Sequence, residues 1–400
     1  MTPGISREDG SLRIRIMKGL ELTPRQLLAL IAALVLLFNI PTLTNIPGLP
    51  IRQRPVYRGL VLGLAAVGLN VLLRHSDLVS FGHAAFFGTS AYAVAIAINW
   101  FQIQSALVLL VIGVVTATLM AALIGYFTLH HTGLYFALIT LAFGQLLFSI
   151  VEGQSALGGT DGLTVRTGEQ GVPILEQFPT LFGISLTGQE LPNTILLWFT
   201  LALVILSMLV MYRIVKSPFG RALDAVGQER TRARFLGLPV RRYVWAAFII
   251  SGIYGGIAGA LYALYFRGVN PGATLQVFVS GDILYIAILG GFGTLTGPLI
   301  GGVVFETLSN LAQEVIFTGP AGETQMGRLI TGVVLLIIVF AFPEGIVGSL
   351  KPGGRVFEGA RTFKNDPTVV GPWTKKFGRR TVEAARRSAE NVRYLLFGVN

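Results

Sequence analysis

The chain has 400 residues, of which 52% are hydrophobic and only 13% are charged, and its formal net charge is +11. Soluble domains carry about 25% charged residues, so the composition excludes a soluble fold of this length and predicts an integral membrane protein. The absence of cysteine excludes disulfides, thiolate chemistry and cysteine metal sites.

The first segment, 1–26, contains basic residues but no apolar core followed by a cleavage signal, so we interpret it as a cytoplasmic tail. Apolar segments then approach or reach the length of about 17–25 residues that a spanning helix needs. Because strand alternation is absent, a β-barrel is disfavoured. We therefore expect an all-α polytopic protein with eight to ten transmembrane helices in a domain at 27–350, followed by a basic tail at 351–400. The predicted spans are 27–46, 57–74, 82–100, 105–128, 133–151, 194–213, 243–267, 276–289, 297–318 and 327–349.

The distribution of positive charge predicts the orientation. Of the 31 lysines and arginines, 25 fall before residue 27, at Arg74, in 213–242 or in 351–400. A single topology places all four regions on one side, and positive charge favours the cytoplasmic side. This placement predicts that both termini are cytoplasmic, and it explains the net charge without a nucleic-acid partner.

The loop at 152–193 has the opposite bias, with five acidic residues and one arginine, and is predicted to be periplasmic. Its Gly158–Gly162 sequence is typical of a tight, ordered bend. The arginines at 52, 54 and 58 fall in a predicted external loop and contradict the charge rule.

The loop at 214–242 is polar and compatible with helix, so it must lie in water. Gly237, followed by Leu238 and Pro239, is predicted to end a short helix. We expect an apolar surface suited to docking into a groove. An amphipathic helix lying on anionic lipid is the alternative. The residues of the predicted surface are Phe219, Leu223, Val226 and Phe235.

Glycines recur at small-xxx-small spacing inside the spans, which favours close packing within one bundle, with a subunit interface or moving seam as the alternative. A weak similarity between 80–92 and 251–262 suggests an internal repeat. The glycine pairs are 59/63, 252/256, 255/259, 293/297 and 297/301.

The densest glycine sequence lies at 290–298, between two predicted spans. These spans are either two full crossings or a re-entrant pair. Because the unpaired backbone must be covered by protein or water, we predict a gating role for Gly290, Gly291 and Gly293. A tight cytoplasmic hairpin is the alternative.

Charges inside a membrane are costly, so Asp282 and Glu306 are candidate pathway or gating residues. Asp282 also lies close enough to an interface to cap a helix. His83 is predicted to be a packed, hydrogen-bonded histidine, with substrate contact as the alternative. The carboxylates are too few for a proton relay, and the histidines lack metal-ligand spacing. No GxxxxGK[ST] sequence occurs, so any ATP must be handled by another chain.

Several motifs, taken together in order over about 27–350, resemble the LivM-type permeases of branched-chain amino-acid ABC transporters. Arg74–Asp77 departs from the Gly-Tyr-x-Gly usual in that family, and Thr231-Arg232 replaces the Glu-Ala of the general importer loop. The motifs lie at 69–73, 78–92, 133–143, 160–163, 217–223, 233–237, 258–262, 282–298 and 343–345.

The resemblance implies a permease subunit of an ABC importer in a bacterial inner membrane, translocating branched-chain or other apolar amino acids, with no cofactor of its own and no catalysis. The implied partners are an H-type permease subunit, two cytoplasmic ATPases and a periplasmic substrate-binding protein. A urea or short-amide permease, or a stand-alone facilitator or secondary carrier, remains open. The residues implied to couple the chain to the ATPases are Phe219, Gly220, Arg221, Ala222, Ala225, Ala233 and Gly237.

Overall fold

A computed structural model describes residues 4–8, 11–17, 20–22, 52–76, 78–103, 105–164, 191–317, 332–333 and 345–349. Every predicted span within these ranges is a helix with ends close to the predicted ones. The predicted span 27–46 lies outside the described residues, and so does most of 327–349. The long helices are α1 (Gln53–Ser76), α2 (His83–Phe101), α3 (Ala106–Thr128), α4 (Gly133–Gly153), α5 (Leu191–Lys216), α8 (Val240–Phe266), α10 (Val277–Gly290) and α11 (Gly297–Phe317).

Short elements connect or flank these helices. The described part of the chain has seven helices long and apolar enough to cross a membrane, counting 271–290 as one. The all-α polytopic fold class is thus confirmed. The short helices are α6 (Pro218–Gln228), α7 (Arg230–Phe235), α9 (Pro271–Thr274) and α12 (Gly345–Ser349).

The N-terminal segment contains strands that the sequence analysis missed. Strands β1 (Gly4–Glu8), β2 (Ser11–Met17) and β3 (Leu20–Leu22) form an antiparallel meander. The expectation that strand alternation is absent was wrong for β2, where Leu12, Ile14 and Ile16 alternate with polar side chains. This alternation is the signal of a strand with one apolar face.

Helix α1 lies at the centre of the bundle, and most of its side chains are buried. It packs along α8 and α11, while α8 also packs along α2 and α3. Glycines permit these close approaches: an added Cβ at Gly59 would lie 2.7 Å from the Cα of Val303, and one at Gly256 would lie 2.7 Å from the Cβ of Ala117. Because lipid offers no hydrophobic drive for helix association, such backbone proximity supplies the packing.

The two ends of the bundle differ. At one end lie α6 and α7; we name this the basic-loop end. At the other, β4 (Leu163–Thr164) pairs antiparallel with β5 (Gly268–Val269); we name this the strand-pair end. The amide of Gly162 donates to the carbonyl of Gly158 over 3.0 Å, which confirms the tight bend predicted at 158–162.

Candidate functional site

The basic loop folds into two capped helices. The hydroxyl of Ser217 accepts a hydrogen bond from the amide of Gly220 at 3.3 Å, and Pro218 occupies the first turn of α6. The side chain of Glu229 accepts from the amide of Thr231 at 3.2 Å, which caps α7. Both arrangements satisfy backbone donors that a helix start leaves unpaired. The loop is therefore a defined structure on the surface of the bundle.

Gly237 ends this helical segment, as predicted. It has a φ of +80°, a left-handed conformation that glycine adopts without steric cost. Its amide donates to the carbonyl of Arg234 at 3.0 Å, and the amide of Leu238 donates to that of Ala233 at 3.1 Å. Hydrogen bonds of this kind pair the last carbonyls of a helix, so the chain turns back towards α8.

Most of the residues predicted to form the apolar docking surface are not exposed. Leu223 and Val226 are buried, because the apolar face of α6 packs on its own bundle. Phe219 is half-buried and stacks on Tyr243 with ring centroids 5.6 Å apart. Only Phe235, with 87% of its surface exposed, is as accessible as expected, and the sequence analysis missed its neighbour Leu236, which is 78% exposed.

The residues that the resemblance implied for coupling divide by exposure. Gly220 and Ala233 are buried, so they hold the loop rather than contact a partner directly. Ala222 and Ala225 are half-buried, and Arg221 and Gly237 are exposed. The surface available to another protein is thus a set of arginines around one apolar pair, Phe235–Leu236, which we name the apolar tip.

Helix α6 is joined to the last turn of α1 by polar contacts. His75 and Asp224 form a hydrogen-bonded pair between Nδ1 and a carboxylate oxygen. The Arg230 guanidinium donates to the carbonyl of Ser76 at 2.9 Å. An added Cβ at Gly227 would meet the backbone of His75, so the two helices are in close contact there.

The glycine-rich segment forms a turn between α10 and α11 at the basic-loop end. The amide of Thr294 donates to the carbonyl of Gly291 at 3.0 Å. From α1, the Asn70 amide donates to the carbonyl of Thr294 at 2.9 Å and the Arg74 guanidinium to that of Gly293 at 2.8 Å. This geometry is that of a hairpin between two helices, with its carbonyls paired by side chains.

The candidate gating glycines differ in their surroundings. An added Cβ at Gly297 would lie 2.7 Å from the carbonyl oxygen of Gly291, and one at Gly290 would lie 2.7 Å from the nitrogen of Pro298. Gly291 has a φ of +101°. A Cβ at Gly293 would meet nothing within 4 Å. The idea that Gly293 allows a close approach was therefore wrong, because its position faces open space.

The two membrane carboxylates lie towards the strand-pair end. Glu306 is 6% exposed, and its Oε2 lies 3.4 Å from Nη1 of Arg58. Asp282 lies near enough to Glu306 for the two charges to interact. Arg58, an exception to the charge rule in the sequence, is inside α1 and pairs with a buried carboxylate. Pairing reduces the cost of both charges in the membrane.

An aromatic cluster lies beside this ion pair and was not predicted. The rings of Tyr57 and Tyr265 stack with centroids 3.6 Å apart, and those of Tyr262 and Phe266 lie 4.5 Å apart. The Tyr57 hydroxyl lies 2.9 Å from that of Thr200. The aromatic residues at 262, 265 and 266 are three and four positions apart, which places them on one face of α8. This spacing is the sequence pattern from which the cluster could have been predicted.

His83 is buried in the bundle, with Nε2 2.6 Å from the hydroxyl of Ser251 and its ring edge-on to Phe86 at 5.3 Å. It is a packed, hydrogen-bonded histidine, as predicted. The structure does not bring all the candidate gating residues together: Asp282 and Glu306 lie towards the strand-pair end, whereas Asp282 and Gly290 are separated by about 12 Å of helix. Over the described ranges, no three His, Cys, Asp or Glu side chains are grouped as metal ligands are.

Comparisons with known proteins agree with the resemblance noted in the sequence. The family described as "Branched-chain amino acid transport system / permease component" matches residues 54–339. The high-affinity branched-chain amino acid transport system permease protein LivM of Escherichia coli (strain K12) is 26% identical over 352 residues, covering 84% of this chain and 79% of LivM. The corresponding LivH protein of that strain is 23% identical over 310 residues, covering 73% of this chain and 94% of LivH.

A relative named for a different solute also matches. The nucleoside ABC transporter permease protein NupC of Lactococcus lactis subsp. cremoris is 27% identical over 181 residues, covering 45% of this chain and 53% of NupC. The family match extends over well over half of this chain. The chain belongs to the family of permease components of branched-chain amino acid transport systems.

Proposed function

We propose that this chain is the M-type permease subunit of an ABC importer that moves branched-chain or other apolar amino acids across a bacterial inner membrane. ATP is hydrolysed by two separate cytoplasmic ATPases, and the chain needs no cofactor of its own. An H-type permease subunit pairs with it, and a periplasmic binding protein delivers the solute. The family match and the similarity to LivM and LivH support this assignment.

The observation that carries the mechanism is the apolar tip. Phe235 and Leu236 are exposed in a loop whose neighbours are arginines. Adjacent exposed apolar side chains rimmed by polar residues are typical of a surface that contacts a protein or a membrane. Leu223, Val226 and Ala233 are buried and hold α6 and α7 against the bundle, so a partner that binds the apolar tip can displace α6 as well.

The proposed mechanism follows from this attachment. ATP-driven closure of the two ATPases displaces the apolar tip, and α6 passes the movement to the bundle. The spans then rock between outward-facing and inward-facing arrangements. The chain performs no covalent chemistry, and its contribution is the differential stability of the two arrangements.

Orientation is part of the proposal: the basic-loop end faces the cytoplasm and the strand-pair end faces the periplasm. The cysteine-free chain allows a direct check. Thr160→Cys and Arg234→Cys, both at exposed positions, are treated with an impermeant thiol reagent. We expect labelling of position 160 in intact cells and of position 234 only after the membrane is opened. Labelling of both positions from one side contradicts the orientation.

The solute is tested on the assembled complex with its own binding protein in proteoliposomes. We expect uptake of leucine, isoleucine or valine that requires ATP. The ATP must be supplied on the side of the liposome membrane where the ATPases lie. Urea, short amides and a nucleoside are the comparison solutes, the last because of the similarity to NupC. Transport of one of these in place of the amino acids contradicts the proposed substrate class.

A further inference from the structure

The last turn of α1 contacts two separate parts of the basic-loop end. On one side, His75 pairs with Asp224 of α6, and the carbonyl of Ser76 accepts from Arg230 at the start of α7. On the other side, Arg74 donates to the carbonyl of Gly293 in the turn between α10 and α11. Three consecutive residues therefore touch both the loop that carries the apolar tip and the glycine-rich turn.

The contacts are suited to transmit displacement. His75 is buried, so its ring cannot follow α6 without moving the end of α1 as well. The Arg74 guanidinium is solvent-exposed and donates to the backbone carbonyl of Gly293 at 2.8 Å, so it joins α1 to the turn through a charged donor. Asn70, one turn earlier, holds the same turn through the carbonyl of Thr294 at 2.9 Å. The turn is thus held at two points by one rigid helix.

The glycine-rich turn is packed against the ends of three helices, α10, α11 and α12. Gly290 and Gly297 bring the ends of α10 and α11 into backbone contact, and Gly345 at the start of α12 approaches Gly291. The packing around Gly290 and Gly297 leaves no room for even a Cβ, so a displacement of the turn displaces both helix ends. Close-packed elements of this kind shift between discrete arrangements rather than deform.

We infer that Arg74, His75 and Ser76 form a two-sided clamp that transmits movement of α6–α7 to the glycine-rich turn and thereby to α10 and α11. The inference rests on the proposed function, in which ATPases move α6–α7. These residues are positioning residues and touch neither solute nor nucleotide. They lie within Arg74–Asp77, the residues that replace the Gly-Tyr-x-Gly usual in the family. A chain with the usual sequence would therefore lack these clamp side chains.

The test measures movement rather than transport alone. Spin labels are placed on a reference position at the strand-pair end, Trp100→Cys, and on either Gln228→Cys in α6 or Thr296→Cys in the turn; all three residues are exposed. Distances are measured in the assembled complex with cysteine-free partner subunits, with and without a non-hydrolysable ATP analogue. With the wild-type clamp, we expect nucleotide to shift both the 100–228 and the 100–296 distances.

The clamp is opened by Asp224→Ala, by His75→Leu or by Arg74→Met, each of which removes the hydrogen-bonding group of that side chain. Asp224 is partly exposed, so its substitution keeps the assay usable if a change at buried His75 prevents folding. We expect each variant to retain the shift at 228 and to lose most of the shift at 296, with solute-stimulated ATPase activity reduced at least about fivefold, the lower range of an allosteric coupling. Arg213→Met, an exposed arginine at the same end of the bundle, is the matched control and should preserve both shifts.

Two results overturn the inference in different ways. If the shift at 296 survives in all three variants while the shift at 228 is normal, the turn is moved by another route and the clamp does not transmit. If nucleotide fails to shift position 228 even in the wild-type complex, the proposed ATPase coupling through α6–α7 fails, and the clamp with it.

Discussion

Replacing both residues of the apolar tip by alanine should uncouple the chain from its ATPases. Full burial of a leucine or phenylalanine side chain contributes about 1.5–3 kcal/mol. Phe235 and Leu236 are 87% and 78% exposed in this chain, so nearly all of that burial remains available to a partner. The double substitution is expected to weaken docking by about 2.5–5 kcal/mol, or by about two to four orders of magnitude in affinity.

The assay is the binding of the purified ATPase to nanodiscs that contain the permease pair. The matched control is Leu223→Ala on the same helical segment, which removes a side chain that is only 1% exposed. Its effect should fall on stability, by about 2–5 kcal/mol, and appear as a lower Tm. Unchanged ATPase affinity of the Phe235→Ala, Leu236→Ala variant, in a permease with wild-type Tm, refutes the assignment of the docking surface.

Further substitutions test other parts of the account. Gly237→Asp should reduce ATP-driven uptake because it adds a negative charge beside the apolar tip, whereas Gly237→Asn, which tolerates a positive φ, should retain most of it in the same uptake assay. Gly297→Val should lower the amount of folded permease in size-exclusion profiles, because its Cβ would lie 2.7 Å from the carbonyl oxygen of Gly291, whereas Gly293→Val should fold normally, since nothing lies within 4 Å; equal yields of the two contradict the hairpin packing. Arg58→Met should lower the Tm more than Glu306→Gln, because it leaves a carboxylate that is 6% exposed without its partner, at about 1–3 kcal/mol; the reverse order would show that the ion pair does not set the cost.

The helices could be predicted from the sequence because hydropathy and length are local properties. The described span 106–128 begins and ends within a residue or so of the predicted one. The turn at Gly237 was also predictable, since a glycine in a left-handed conformation is a frequent helix terminus. The strand at 11–17 was missed although its alternation is visible, because the basic residues were considered only for their charge.

The composition of the docking surface could not be predicted in the same way. Amphipathic spacing shows that α6 has an apolar face, but it does not show whether a partner or the chain's own bundle covers that face. Leu223 and Val226 are covered by the bundle, which leaves Phe235 and Leu236. The pair Arg58–Glu306 joins residues 248 apart in sequence, and no local pattern indicates such a contact.

The role of the end of α1 was hidden for the same reason. In the sequence, Arg74-His75-Ser76 is a departure from a family motif with no apparent purpose. Its contacts with Asp224, Arg230 and Gly293 connect it to residues about 150 to 220 positions away. Only the packing of α6 and of the glycine-rich turn around α1 brings these groups together.

The central claim is that this chain moves solute only as part of an ATP-driven complex. It is tested most directly by measuring uptake of radiolabelled leucine, isoleucine and valine into proteoliposomes that contain the purified permease pair, with and without the ATPases, the binding protein and ATP. The account predicts uptake against a gradient with the full set and none above empty liposomes when the ATPases or ATP are omitted. Saturable uptake by the permease pair alone would contradict the account and identify a facilitator.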